Sequence, residues 1–304
     1  GGDGRRDAAS GHGDVQSGEA LLRQEEQLLQ RLLVVPQAGG HVDVAGCQRP
    51  SSQGCRAAHH AFRHLDGVIS VSEATRQACI SRGMDPEKGG SLPNGIDTDI
   101  LAELPSREEA RMRIENEFNI DLSSRYLLLS VGRQVKRKGH AWFIDNVLHE
   151  LNSKVLFLII GNGPEHENIC KARERSPVKQ NIVIAGKQPD SVVMEAYSAA
   201  DLFIMPNIPV EGDMGGFGIV LLEANRAGVP AVASDLEGIK DVIVQGVNGY
   251  RVPSGDTVLF AKKIDEVLEK ELPEISEKAR EYVLKTFSWN SVVDKYVSFL
   301  KRLN

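Results

Sequence analysis

The residues best suited to chemistry lie in Glu211–Pro230, EGDMGGFGIVLLEANRAGVP. Gly215, Gly216 and Gly218 make a turn in which a ligand can approach the backbone closely. A helical pattern begins at Ile219. Its first N–H groups and positive dipole end point into the turn, a natural seat for phosphate. Glu223 follows among Ile219, Val220, Leu221, Leu222 and Ala224. A carboxylate so placed needs a polar partner, and a ribose or sugar hydroxyl would serve. A helix start with one polar position facing solvent accounts for the same pattern equally well.

A second group of candidates is the loop GRQVKRKG, which carries Arg133, Lys136, Arg137 and Lys138 between Gly132 and Gly139. It follows an apolar strand pattern, so its cations would sit at a sheet rim. A diphosphate suits them, since Arg grips two oxygens and Lys acts as a point charge. The plain alternative is a solvated basic loop. GNGP (161–164) lacks the third glycine of a dinucleotide fingerprint and reads as a tight turn. AGKQPD (185–190), which contains Lys187, could present backbone groups to a base. Asp97, His140, Asp201, Asp235 and Glu237 are single polar residues near strand ends, where most such residues cap helices or turns. No carboxylate pair at catalytic spacing, GxSxG elbow or metal-ligand cluster occurs. Chemistry here would rest on binding and orienting a substrate that carries its own leaving group.

The elements that position these residues are regular from Tyr126 onward. Apolar strands YLLLSVG (126–132), VLFLIIG (155–161), NIVIAG (181–186), DLFIMP (201–206) and AVAS (231–234) alternate with helical stretches at 140–151, 165–175, 191–200, 219 onward and 238–246. Short continuous apolar strands alternating with helices predict a parallel sheet covered on both faces, an α/β Rossmann-like doubly wound domain. Ligands in such sheets bind at the carboxyl ends of the strands, where the candidates above all lie. Upstream, DGVISVS (66–72) predicts a short buried strand and Glu73–Gly83 a helix capped by Ser72. Asn94–Gly95 is a turn signal. Ser106–Glu117 reads as a charged, solvated connecting helix, and Thr257–Asn304 as an amphipathic helical tail with a break near Pro273 and a cap-like Ser288.

The first sixty residues have a different texture. No Phe, Tyr, Trp, Ile, Met, Asn, Lys or Thr precedes Phe62, and the first Lys is Lys88. Several of the missing residues share AT-rich codons, which points to a frame-shifted or wrongly joined start; a low-complexity linker is the alternative. A helix is expected over Glu19–Leu33, and the rest of 1–60 is expected to be poorly structured or non-native. The whole chain has 304 residues, enough for about two domains. A net charge of -6 and the lack of a long basic block argue against a nucleic-acid partner. Cys47, Cys55, Cys79 and Cys170 show no zinc or disulfide spacing. With no secretory signal or spanning apolar run, the expected location is the cytoplasm.

Six ordered segments, VSEATR, PNGID, SVGRQVKRKG, LIIGNGPE, FGIVLLEANRAGVPAVAS and GVNGYRVPSGD, together resemble the family-4 retaining glycosyltransferases of the GT-B fold. The resemblance covers about Leu65 to Asn304. It implies the C-terminal half of a GT-B fold with an incomplete N-terminal domain: a remnant of the acceptor side at 61–105, a nucleotide-sugar donor domain at 106–286, and a C-terminal helix at 287–304. It implies that Arg133 and Lys138 hold the donor diphosphate and that Glu223, the second glutamate of an E-x7-E motif, binds the ribose hydroxyls, the three being counted as catalytic. Gly132, Gly215, Gly216, Phe217, Gly218, Ile219, Val220 and Lys187 are the implied donor-binding residues. The first glutamate of the motif, which in the family contacts the donor sugar, falls at 215, where this chain has Gly215; Glu211 and Asp213 are out of register. The tail helix, which in the family crosses back to the N-terminal domain, is expected to lose much of its docking surface.

The implied reaction is front-face transfer of a sugar from a nucleotide-diphosphate sugar to an acceptor hydroxyl with retention, in polysaccharide or glycolipid synthesis. It needs no metal and no cofactor beyond the donor substrate. The implied partners are a nucleotide sugar and a carbohydrate or glycolipid acceptor, with room for peripheral contact at the inner membrane face. Gly215 and the short upstream region motivate the alternative of a catalytically impaired nucleotide-sugar-binding fragment. An NAD-dependent oxidoreductase would share the strand–helix alternation but requires a GxGxxG and an acidic residue about 20 positions on, and neither is present.

Overall fold

The structure is a computed structural model that describes residues 62–98, 104–215 and 217–303, with the backbone of 32–35. Its smaller layer is a three-stranded parallel sheet of β1 (Leu32–Val35), β2 (Gly67–Ser70) and β3 (Gly89–Ser91), in the order β1-β2-β3. Helix α1 (Glu73–Ile80) follows β2 and is capped by Ser72, whose hydroxyl accepts from the Thr75 N–H at 3.1 Å. Leu32 and Leu33 thus belong to a strand and not to the end of the expected helix; the remainder of Glu19–Leu33 lies outside the described residues, as does Gly216.

The larger layer is the expected parallel sheet. It contains β4 (Tyr126–Val131), β5 (Val155–Ile160), β6 (Ile182–Gly186), β7 (Leu202–Met205), β8 (Ala231–Ser234) and β9 (Gly249–Val252), in the order β6-β5-β4-β7-β8-β9. All neighbouring pairs are parallel. The chain starts in the middle, builds outward to β6, then returns to the other side of β4, which is the strand order of a Rossmann sheet. Adjacent strands β4 and β7 therefore send their following loops to opposite faces and leave a crevice between them. β9, inside the GVNGYRVPSGD segment, was not among the expected strands; its Gly249, at φ 156°, packs so tightly on the Ala231 backbone that a side chain has no room.

Both faces of this sheet are buried, which is why its strands read as continuous apolar runs and not as alternations. Leu127, Leu129, Leu158 and Phe203 face one way, onto α2 (Arg107–Phe118), α5 (Asp190–Ala199), α6 (Ile219–Arg226) and α9 (Leu272–Phe287). Leu128, Phe157, Ile159 and Ile204 face the other way, onto α3 (His140–Asn146), α4 (His166–Arg175) and α8 (Thr257–Glu266). Phe143 of α3 anchors the second face, with ring centroids 5.0 Å from Phe157 and 6.1 Å from Phe260.

Two expectations about helices are corrected. α2 is not a solvated connector. Its Ala110 and Ile114 are fully buried in the core, and Arg111 donates to the buried Asp201 carboxylate at 3.0 Å, with Arg107 on the other oxygen. The pattern hid this because ten of the twelve residues are charged, polar or partly exposed, and the helix is pinned by the buried Ala110 and Ile114 with Phe118 packed beside them. The stretch 238–246 is helical only over α7 (Ile239–Val242). In the tail, a π-helical turn at Val267–Glu271 separates α8 from α9, with Pro273 in the first turn of α9, and Ser288 separates α9 from α10 (Trp289–Leu303). Among the described residues no helix is long and apolar enough to cross a membrane.

Candidate functional site

The β4/β7 crevice brings together residues about eighty positions apart in the chain. The loop after β4 makes a short 3-10 turn at Lys136–Lys138 and ends at Gly139. Gly139 has φ 67°, a left-handed conformation that favours glycine, and a side chain there would run into the Pro206 carbonyl oxygen of the loop after β7. The Ile208 N–H donates to the Arg137 carbonyl at 2.9 Å, and the Arg137 guanidinium meets Asp213 at 3.1 Å. The basic loop is thus stitched along the segment that leads to Gly215, Phe217 and the start of α6.

Lys138 folds back over the loop, its Nζ standing 3.9 Å from where a side chain on Gly132 would begin. Burial, with the neighbouring Arg137 charge, lowers its pKa to about 8. An anion placed beside a lysine held this way would favour its charged form. Arg133 of the same loop is exposed. His140, one turn on, is buried and shares a hydrogen bond with the Ser130 hydroxyl at 3.0 Å; burial and the nearby Lys138 push its pKa down to about 3, so it stays neutral and serves the packing of α3.

Gln134 holds the loops after β4 and β5 together. It is fully buried, donates to the Gly161 carbonyl at 2.8 Å and meets His166 Nδ1 at 2.8 Å. GNGP is thereby shown to be a close-packed turn, as expected: a side chain on Gly161 or Gly163 would strike the backbone of Gly132 or Gln134. No sequence signal singled out Gln134.

On the other side of the crevice, Gly218 precedes α6 without any side-chain cap; the Ile219 and Leu221 N–H groups donate to the Phe217 and Gly218 carbonyls at 3.1 and 2.9 Å, and the positive end of the helix dipole faces the loop. Phe217 is buried, bridges to Gly238 and packs 6.0 Å from Phe287, which fixes the entry of α6. Ile219 and Val220 are half-buried in the first turn. Glu223 has the polar partner its apolar neighbours demanded: the buried Tyr197 hydroxyl of α5 donates to its Oε2 at 2.8 Å. Burial and the Glu223 charge hold Tyr197 well above its ordinary pKa, so it remains a donor. Tyr197 thus occupies one of the two Glu223 oxygens, Oε2. Sequence reading missed Tyr197 because the pairing joins two helices and leaves no spacing pattern.

The remaining candidates separate. Lys187 is exposed on the loop after the edge strand β6, two strands from β4, or about 10 Å across the sheet. Asp201 is structural, as described. Asp235 pairs with Arg251 at 3.3 Å and Lys240 at 3.6 Å. Glu237 does not act as a helix cap: its carboxylate accepts the Gly215 N–H and so ties the turn after β8 to the segment after β7. Among the described residues no group of His, Cys, Asp or Glu is arranged to hold a metal. A cleft of about 600 Å³ between α1, β3 and α10, lined by Arg76, Gly90, Lys295 and Phe299, lies apart from this rim.

Comparison with known proteins adds a second line of observation. The family described as glycosyl transferases group 1 matches residues 112–286. Among curated proteins, the chain is 29% identical over 188 residues to N-acetyl-alpha-D-glucosaminyl L-malate synthase of Bacillus anthracis, covering 60% of this chain and 47% of the relative. It is 30% identical over 209 residues to the GDP-mannose-dependent alpha-(1-6)-phosphatidylinositol monomannoside mannosyltransferase of Mycolicibacterium smegmatis, covering 67% and 53%. The chain therefore spans about half the length of these relatives. Among solved structures, HepE of Anabaena in complex with UDP and glucose superposes with a TM-score of 0.71 at 20% identity, over 83% of this chain and 67% of the other. A glycosyltransferase of Rickettsia africae superposes with a TM-score of 0.72 at 17% identity, over 99% and 84%. These structural likenesses show a shared fold, that of GT-B glycosyltransferases.

Proposed function

Since the chain belongs to the group 1 glycosyl transferases, we propose that residues 106–286 form a donor-binding domain that seats a nucleotide-diphosphate sugar in the β4/β7 crevice. The observation that carries this reading is that Lys138 and the start of α6 follow the adjacent strands β4 and β7, at the point where the sheet order reverses. A diphosphate placed there receives N–H donors and the helix dipole from one side and Lys138 and Arg133 from the other. Glu223, already held by Tyr197, offers its other oxygen to the ribose hydroxyls. Relatives and neighbours support a nucleotide sugar as the ligand, since one is GDP-mannose-dependent and HepE is solved with UDP.

In the proposed reaction, the sugar leaves its diphosphate for an acceptor hydroxyl with retention of configuration, as in family 4. The departing phosphate oxygen takes up the proton of the acceptor. Lys138, Arg133 and the α6 N–H groups stabilise the charge that develops on the diphosphate, and such stabilisation acts only as the bond breaks. No metal or cofactor is assigned a step. Residues 61–105 are read as part of the acceptor side and 287–304 as the helix that closes onto it. The acceptor is proposed to be a carbohydrate or glycolipid in polysaccharide or glycolipid synthesis, met in the cytoplasm or at the inner membrane face.

Isothermal titration with UDP, GDP and ADP, paired with a donor-hydrolysis assay, tests the reading. One nucleotide is expected to bind, and Lys138→Met to weaken it by about tenfold to a hundredfold. Failure of all three to bind would refute the donor pocket. Binding without turnover would favour a nucleotide-sugar-binding fragment over a transferase.

A further inference from the structure

Position 215 carries no side chain, yet the crevice beside it is not empty of acid. Glu237, on the turn after β8, reaches across so that its Oε2 accepts the Gly215 N–H and stands where a side chain on residue 215 would begin. The Arg137 guanidinium lies 3.4 Å from that same point. Glu237 holds φ 44°, a left-handed backbone that glycine adopts freely and a glutamate adopts at a cost. Such a conformation persists where the surrounding structure imposes it and is frequent at ligand sites. Gly215 and Glu237 thus form a complementary pair: glycine where a side chain would push the carboxylate aside, and a carboxylate on a backbone that favours glycine.

We infer that Glu237 is the donor-sugar carboxylate of this chain, reading the sugar hydroxyls from the β8 turn in place of a side chain at 215. The inference rests on the donor-pocket reading above. A sugar bonded to the distal phosphate extends from the Lys138 and α6 seat toward Asp213 and Gly215, and Glu237 is the acid that the Gly215 N–H holds. A carboxylate has about four acceptor positions, so one N–H donor from Gly215 leaves capacity for vicinal hydroxyls. Burial raises the pKa of Glu237, with Gly215 and Arg137 acting against the rise. Hydroxyl donors from a bound sugar would reinforce the charged form in the same way. It follows that placing glutamate at 215 alone brings two acids into one space.

The test is titration of the whole chain with UDP, UDP-glucose, GDP and GDP-mannose, reading the affinity of each nucleotide sugar relative to its own nucleotide. Glu237→Gly is expected to lower that ratio by about tenfold or more while leaving the nucleotide itself bound as before. Gly215→Glu alone is expected to lower it too, and Gly215→Glu combined with Glu237→Gly to restore it. If Glu237→Gly fails to fold, Glu237→Gln, which keeps the shape and the Gly215 bond, reads the ratio instead. An unchanged ratio, equal losses for nucleotide and nucleotide sugar, or a wild type that binds a nucleotide but neither nucleotide sugar overturns the role of Glu237 alone. A wild type that binds none of the four, nor ADP, overturns the donor pocket, and this role with it.

Discussion

Lys138 is where the chemistry of a single residue can be read most directly. Its pKa of about 8 lies below the ordinary lysine value because burial penalises the charge and Arg137 repels it. A diphosphate alongside favours the charged form and raises the pKa on binding. Binding then takes up a proton on the alkaline side of about pH 8, and affinity should fall above that pH by up to about one log unit per pH unit. Titrations between pH 7 and pH 9.5 in two buffers of different ionisation enthalpy would show the fall and the proton uptake. A flat profile, or the same fall in Lys138→Met, would remove Lys138 from the anion seat. Sequence alone placed Lys138 and Arg133 as cations on the same rim as the Gly-rich turn. It treated Glu237 as one polar residue among many, because nothing in chain spacing links 237 to 215.

At the scale of elements, the crevice depends on how closely the loop after β4 approaches the loop after β7. Gly139 makes that approach, with its left-handed φ and its place against the Pro206 carbonyl. Gly139→Ala combines an unfavourable backbone with a collision against main chain. It is expected to cost about 2 to 4 kcal/mol in urea unfolding and to weaken nucleotide binding with it, because Lys138 immediately precedes the displaced residue. Unchanged stability would mean that the two loops are not stitched at this point. The strands and most helices were legible in the chain, since buried parallel strands are continuous apolar runs and helices between them show their own period. β9 was not, because GYRV carries only one fully apolar aliphatic residue and a glycine. α2 was misread for the converse reason: its binding to the sheet runs through Arg111 and Asp201, an ion pair that charge patterning cannot tell from solvation.

For the molecule as a whole, the two sheets are joined by a few specific contacts. The Glu73 N–H donates to Asp241 at 2.8 Å, Arg226 donates to the Asp97 carbonyl at 3.0 Å, and Ile96 bridges to Ser288. The tail helix α10 then lies back on the small sheet. Phe299 takes the space a side chain on Gly90 would need, and Leu303 does the same at Gly67. The tail therefore has a docking surface on β2 and β3, more than the resemblance implied, while Trp289, Val293 and Val297 stay exposed. Phe299→Ala should cost about 3 kcal/mol or more. Hydrogen exchange should then speed up in β2, β3 and α10 while β4, β5 and β7 keep their protection. Equal acceleration in the large sheet would show that the two layers unfold as one.

The sequence by itself determined the α/β class, the strands from β4 to β8 and the side of the sheet on which the ligand residues must lie. Those properties follow from local apolar periodicity and from the rule that loops after parallel strands share one rim. Only the tertiary structure decided which of those loops are neighbours, since strand order is set by packing between segments far apart in the chain. It placed β4 beside β7, gave Glu223 its Tyr197 partner and stood the Glu237 carboxylate in the space that Gly215 leaves. Each of these is a contact between residues more than twenty positions apart, and no local spacing records it.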